Sequence, residues 1–225
     1  MTIWNIRIIV LFCISTVAIQ SLSAQSAFKV EILPQINVSA AINKKWKVFI
    51  RLEPRHVFYT DDDFVSEYDR TDASIQFSRK ISLEGTLAAG YLIRQKGRDF
   101  GHRFSQQYST VSKFEKLKLG HRFLVDETFF KSLPIAFRLR YRLSTELPLH
   151  GQSLDLKEFY LKFSNEQIAF YRKPDFDYEI RTFAGSGYVF TKKFRIEAGL
   201  DYRITNIISS LKHSFLIYCG IYLSF

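Results

Sequence analysis

The sequence predicts an all-β protein: a closed, up-and-down antiparallel transmembrane β-barrel of ten or twelve strands. Three observations predict it. Aromatic residues make up 16% of the chain, with 22 Phe and 12 Tyr, a composition that suits pleated surfaces. Apolar and polar side chains alternate with a period of two through much of residues 25–225, as in strands with two unlike faces. The apolar faces are long enough for a tilted membrane crossing of roughly 9–11 residues. Overall hydrophobic content stays at 47%, because only alternate residues of such a barrel face lipid.

Residues 1–24 read as a secretory signal peptide. Arg7 is their only charge, Ile8–Ile19 form an apolar run, and Ser21-Leu22-Ser23-Ala24 offers small residues for cleavage after Ser23 or a neighbour. The run is short for a hydrocarbon core, which disfavours a retained anchor. Cys13 falls inside it, so Cys219 is the sole cysteine of the barrel segment and no internal disulfide is expected. Without Arg7, 31 basic residues stand against 22 acidic ones, a formal charge of +9. The basic residues are spread through alternating segments rather than gathered in a tail or on one helix, so nucleic acid is not an expected partner.

In chain order, Lys29–Ile42 is the first candidate strand. Trp46–Phe58 sets Trp46, Val48, Ile50 and Leu52 against Arg51, Glu53 and Arg55. Arg70–Ser78 opposes Thr71, Ala73, Ile75 and Phe77 to Arg70, Asp72, Ser74 and Gln76, and Ile81–Ile93 places Glu84 and Gly90 opposite Leu83, Leu87 and Tyr91. His102–Ser112, Leu156–Tyr171 and Asp177–Phe190 alternate less cleanly. Leu117–Val125 carries Arg122, and Ile135–Leu143 sets Ile135, Phe137, Leu139 and Tyr141 against Arg138, Arg140 and Arg142. Phe194–Ile204 holds the alternation for eleven residues, with Arg195, Glu197, Asp201 and Arg203 on the polar face. Phe215–Phe225 should close the barrel by antiparallel pairing with the first complete strand, facing Phe215, Ile217, Cys219, Ile221, Leu223 and Phe225 to lipid.

Asn43–Lys45, Ser78–Lys80, Lys113–Lys116 and Thr191–Lys193 read as tight turns. Thr60–Tyr68, Gln95–Gly101, Glu127–Pro134, Arg172–Phe176 and Thr205–Leu211 read as longer loops on the opposite side. Tyr59, Phe64, Tyr68, Phe100, Phe129 and Phe130 suit an interfacial aromatic girdle. Eleven segments result, whereas a bacterial single-chain barrel needs an even number. Either Lys29–Ile42 is not a full strand, leaving ten, or a turn at Ser164-Asn165-Glu166 makes twelve.

Several short motifs resemble a family of uncharacterised outer-membrane barrel proteins, domain of unknown function 2490. They are Asn43-Lys44-Lys45-Trp46, Ala89-Gly90-Tyr91, His102-Arg103-Phe104 with Gln106-Gln107, His121-Arg122-Phe123, Phe137 to Arg142, Asn165-Glu166, and Glu197 to Tyr202. The resemblance spans essentially the whole of residues 25–225 and implies an outer-membrane barrel, with no substrate, reaction or ligand. Leu124, Asp126 and Leu200 depart from its usual pattern. Phe225 resembles the C-terminal aromatic by which such barrels are recognised for assembly. The implied partners are therefore outer-membrane lipids, lipopolysaccharide and the barrel assembly machinery.

Folded into a barrel, the polar face becomes a lumen. Its expected charge network comprises Arg51, Glu53, Arg70, Asp72, Glu84, Arg122, Asp126, Arg138, Arg140, Arg142, Glu158, Glu166, Arg195, Glu197, Asp201 and Arg203. Arginine cannot discharge to escape burial, so Arg138, Arg140 and Arg142 require carboxylates, with Asp126 and Glu158 as candidates. No metal spacing, phosphate loop or nucleophile elbow is present, so no cofactor, metal or catalytic residue is assigned. The leading reading is a structural, binding or narrow-passage barrel. An outer-membrane lipid hydrolase or acyltransferase is the alternative, and it requires a hydroxyl beside His121 on the outer wall. A soluble secreted β-sandwich is a third reading, since one solvated sheet face also alternates.

Overall fold

The computed structural model describes residues 27–61, 63–114, 117–131, 133–151 and 153–225. The predicted signal peptide, residues 1–24, with Arg7 and Cys13, lies outside them. Among the described residues there is no helix. The strands are β1 (Ala27–Ala41), β2 (Trp46–Thr60), β3 (Asp63–Lys80), β4 (Thr86–Lys96), β5 (Asp99–Lys113), β6 (Lys118–Phe130), β7 (Leu133–Pro148), β8 (Phe159–Arg172), β9 (Asp175–Thr191), β10 (Phe194–Thr205) and β11 (Lys212–Ser224). Each pairs with its sequence neighbours, and β1 pairs with β11 to complete a closed barrel.

The barrel therefore has eleven strands, neither ten nor twelve. Lys29–Ile42 does not drop out. Glu31, Leu33 and Asn37 are buried inward, and β1 is paired along both edges. Nor does Ser164-Asn165-Glu166 turn, because Glu166 is buried and Asn165 lies on the opposite face, which continues the alternation of β8. An odd number of up-and-down strands makes the first and last run the same way. Hence β1 and β11 pair in parallel, from Ala27↔Lys212 to Ser39↔Ser224, where antiparallel pairing was expected. Parallel closure also leaves no free edge, which is the physical requirement of a closed barrel. The predicted facing of β11 agrees with the structure: Leu216, Tyr218 and Gly220 are buried, and Phe215, Ile217, Cys219 and Ile221 are exposed on the outer wall.

The connections also differ from expectation. Four of the five expected longer loops are strand extensions that leave only two residues between consecutive strands, at 61–62, 97–98, 131–132 and 173–174. In the first of these, Thr60 pairs with Asp63 and Tyr59 with Phe64, so the polar Asp-rich stretch prolongs the hairpin. Gly97 takes the left-handed conformation such a tight turn needs, with φ of 59°. Only 206–211 remains a longer connection on that rim. The longest, 149–158, is on the opposite rim, where short turns were expected.

The outer wall carries large apolar side chains on every strand. Ile36, Ile50, Phe77, Leu87, Phe104, Phe123, Leu139, Phe163, Phe190, Leu200 and Ile217, one from each strand in order, are all exposed, Leu139 by 60%. Polar groups interrupt the band at Gln106 on β5 and Glu127 on β6, and on β8 and β9, where they satisfy one another. Tyr178 donates to Gln167, Gln167 to Asn165 and Asn165 to Thr182, at 2.7, 2.7 and 3.0 Å. Inside, space is limited enough that aromatic rings need glycines beneath them. A Cβ on Gly187 would lie 2.3 Å from the Tyr160 ring, and one on Gly199 would meet the backbone of Gly185 and the ring of Phe183.

Parallel closure is testable by disulfide trapping in a Cys219→Ala background. Partnered strand positions bring Cα atoms within bridging range. Ser39→Cys with Ser224→Cys, and Lys29→Cys with Ser214→Cys, should each form a bridge in the folded protein. A bridge between Lys29→Cys and Ser224→Cys instead would mean antiparallel closure.

Candidate functional site

Arginines and carboxylates crowd the barrel interior because successive same-face positions on β2, β3, β7, β9 and β10 carry them. Two carboxylates organise this interior. Asp126, 1% exposed, accepts from Arg138 at 2.7 Å, and lies 2.9 Å from Arg140 and 3.5 Å from Arg103. Glu166, equally buried, accepts from Arg122 at 2.6 Å and Arg142 at 3.1 Å, with Arg181 at 3.9 Å. Each carboxylate thus serves three guanidiniums from strands one or two places away, and such charge-assisted pairs are the stronger kind of hydrogen bond.

Shorter pairs follow the same-face spacing of two residues. Glu53 accepts from Arg55, Glu179 from Arg181 and Asp201 from Arg203. Asp72 accepts both Nε and Nη2 of Arg94 across the β3–β4 pair. Arg70 pairs with its neighbour Asp69. Near the far rim, Glu197 accepts from Lys162 and from the Tyr160 hydroxyl, with Arg195 4.0 Å away. Arg51 donates to Asn37 and lies over the Phe49 ring.

Two expected members of the network lie elsewhere. Glu84 sits in the exposed 81–85 turn and pairs with Lys113 at the rim, because the alternation of Ile81–Ile93 breaks before β4 begins at Thr86. Glu158 precedes β8 and serves its own loop, accepting the backbone N–H of Asp155 and of His150. Those two bonds hold its carboxyl below the usual range. The second partner of the arginine ladder on β7 is therefore Glu166, not Glu158. Glu31, Arg94, Arg103, Glu179 and Arg181 also belong to the interior, and their segments concealed them. The tyrosine and threonine on the outer face of β9, with its glycines, blur the alternation around Glu179 and Arg181, whereas the acid-x-Arg spacing itself was visible.

Two cavities of about 380 and 320 Å³ lie within the barrel. Arg55, Arg70, Arg94, Arg138, Arg181 and Arg203 line both, so they form the partition between them. Among the described residues, no group of three or more His, Cys, Asp or Glu side chains is placed to hold a metal ion.

The family comparison bears on this geometry. A family model described as "Protein of unknown function (DUF2490)" matches residues 31–211. The chain belongs to this family. The DUF2490 match begins inside β1 and ends one residue before β11, the strand that completes the ring. It contains both Asp126 and Glu166 with all six of their arginines. Neither a curated protein nor a solved structure gives a significant match.

On the outer wall, His121 has the hydroxyl neighbour that the hydrolase reading requires. Ser112 Oγ lies 3.2 Å from its Nε2, and the Tyr141 hydroxyl lies 2.9 Å from its Nδ1. Tyr–His pairs recur at Tyr91–His102 and Tyr202–His213, each with the hydroxyl at Nδ1 and the rings stacked. Recurrence on three strand pairs marks the Tyr–His contact as a cross-strand clamp. Ser112→Ala should therefore change stability by no more than about 0.5 kcal/mol and should not alter fatty-acid release from detergent-dispersed phospholipid. Turnover that disappears with Ser112 would make the trio catalytic.

Proposed function

We propose that this protein is an outer-membrane β-barrel with a closed interior, serving a structural or binding role rather than forming an open diffusion pore. One observation carries the reading: the barrel is polar within and apolar without. Large hydrophobic side chains stand exposed on every strand, while Asp126, Glu166 and Glu197 are at most 2% exposed inside. A soluble monomer rarely leaves so large a continuous apolar surface in water. A closed barrel in lipid requires it, and also satisfies its backbone groups internally. Odd-stranded membrane barrels with parallel closure are physically admissible on the same ground.

The closed interior is supported by the arginine partition between the two cavities. Each of its six guanidiniums is tied to a carboxylate on its own or the adjacent strand, and these charge-assisted contacts hold the side chains in place between the two cavities. In this setting the outer wall meets outer-membrane lipid and lipopolysaccharide, and the barrel assembly machinery inserts the chain. The soluble β-sandwich has no counterpart in a single closed sheet. The lipid-hydrolase alternative rests on the Ser112–His121–Tyr141 trio and stands or falls with the test of Ser112.

The reading is tested with purified protein in planar bilayers after membrane fractionation. The chain should fractionate with outer membranes, require detergent for release, and give no sustained ohmic conductance steps. Release in soluble form without detergent would overturn the membrane assignment, and stable large steps would overturn the closed interior.

A further inference from the structure

We infer that the larger interior cavity is a binding site for a small, multiply charged oxyanion of the phosphate type. Twelve Arg and Lys side chains line it against six carboxylates; Asp69, Glu179, Glu31 and Glu146, behind the lining, also pair with four of these cations, and the cations remain in excess. Its volume of about 380 Å³ is within the range of small-molecule pockets, roughly 300–1,000 Å³.

The excess is concentrated in one hydrogen-bonded row. Arg122 on β6 is directly opposite Arg142 on β7, Arg142 is opposite Glu166, Glu166 opposite Arg181, and Arg181 opposite Arg203. Arg181 and Arg203 have their own partners in Glu179 and Asp201, so the unneutralised part of the row is Arg122 and Arg142, which share Glu166 and, as like charges directly opposite one another, repel. The donors are also undersupplied with acceptors. The Nε groups of Arg122 and Arg142 are buried with no hydrogen-bond acceptor among the described residues, whereas Arg140 Nε lies 2.9 Å from Asp126. Arg51 lines the same cavity and forms no ion pair among those residues, donating only to Asn37. Guanidinium forks match the geometry of phosphate oxygens bidentately, and unsatisfied buried donors of this kind are what such an anion would complete. The row is reachable from water, since the side chains of Arg122 and Arg142 retain 23% and 35% of their accessibility.

Phosphate oxygens occur on free solutes and on lipid headgroups. The structure favours a free solute, because these arginines face the lumen and are separated from the outer wall by the sheet itself. This holds whether the barrel sits in a membrane or not.

The test is calorimetric titration of the detergent-solubilised full barrel with inorganic pyrophosphate at fixed ionic strength. Saturable binding near one per barrel is expected, uncompeted by equimolar chloride. Arg122→Gln should weaken it about tenfold or more, as expected for loss of a charge-assisted bond. Arg51→Gln should do the same without disturbing an ion pair, which covers the case in which Arg122→Gln fails to fold. Lys44→Gln, in an exposed turn, should leave affinity unchanged. Absence of saturable binding, or an equal loss in Lys44→Gln and Arg51→Gln, would overturn the site. Binding of a short-chain phosphatidic acid with none of pyrophosphate would overturn the assignment to a free solute. Because binding is read in detergent, its failure leaves the membrane assignment standing.

Discussion

Two buried carboxylates, Asp126 and Glu166, hold the interior of this barrel together, each surrounded by three arginines from strands one or two places away. Arginine keeps its charge in any environment. Strands that alternate arginine inward can therefore close into a ring only if acceptors are placed between them. Asp126 lies opposite Arg138 across β6 and β7, and Glu166 lies opposite Arg142 across β7 and β8. The two acids bracket the strand that brings three arginines inward at once. The register of these strands is thereby specified electrostatically as well as by the apolar outer face, since a slip of one residue would turn each arginine outward.

The rest of the architecture accommodates that polar interior. Ring closure needs no antiparallel last pair, so eleven strands close through β1 and β11 running together. Bulky interior groups on the other side of the lumen are aromatic, and Tyr160, Phe183 and Tyr218 lie where glycines leave room. The Tyr160 hydroxyl then donates to Glu197, linking the aromatic side of the interior to its charged side. Outside, the Tyr–His clamps and the Asn165–Gln167 chain satisfy their polar atoms locally.

Alternation made most of this legible in the sequence. Phe194–Ile204 and Ile135–Leu143 coincide with β10 and β7, and their facing followed from a period of two. The arginines of β7 were placed inward with Asp126 as partner on the same reasoning. Other features depend on contacts distant in sequence. Glu166 could be paired with Arg122 and Arg142 only once β8 was known to lie beside β7. Glu158 was indistinguishable from a strand residue until the 149–158 connection was seen to end there. The Asp-rich hairpin at Thr60 and Asp63 has the composition of a loop, yet its partners across the hairpin draw it into strand. Strand parity was the weakest inference, because it rested on where such barrels usually begin and end rather than on any residue in the chain.

The central claim is that Glu166 holds the inward arginines of β6, β7 and β9 in the interior on which the fold depends, and stability measurement tests it most directly. Urea-driven unfolding of Glu166→Gln should be compared with that of Glu84→Gln, a rim substitution, in the same lipid or detergent. Breaking a buried charge cluster by removing one partner costs about 3–5 kcal/mol, while an exposed change stays within about 0.5 kcal/mol. A loss of that size in Glu166→Gln alone is the predicted result. Equal, small losses in both would contradict the account.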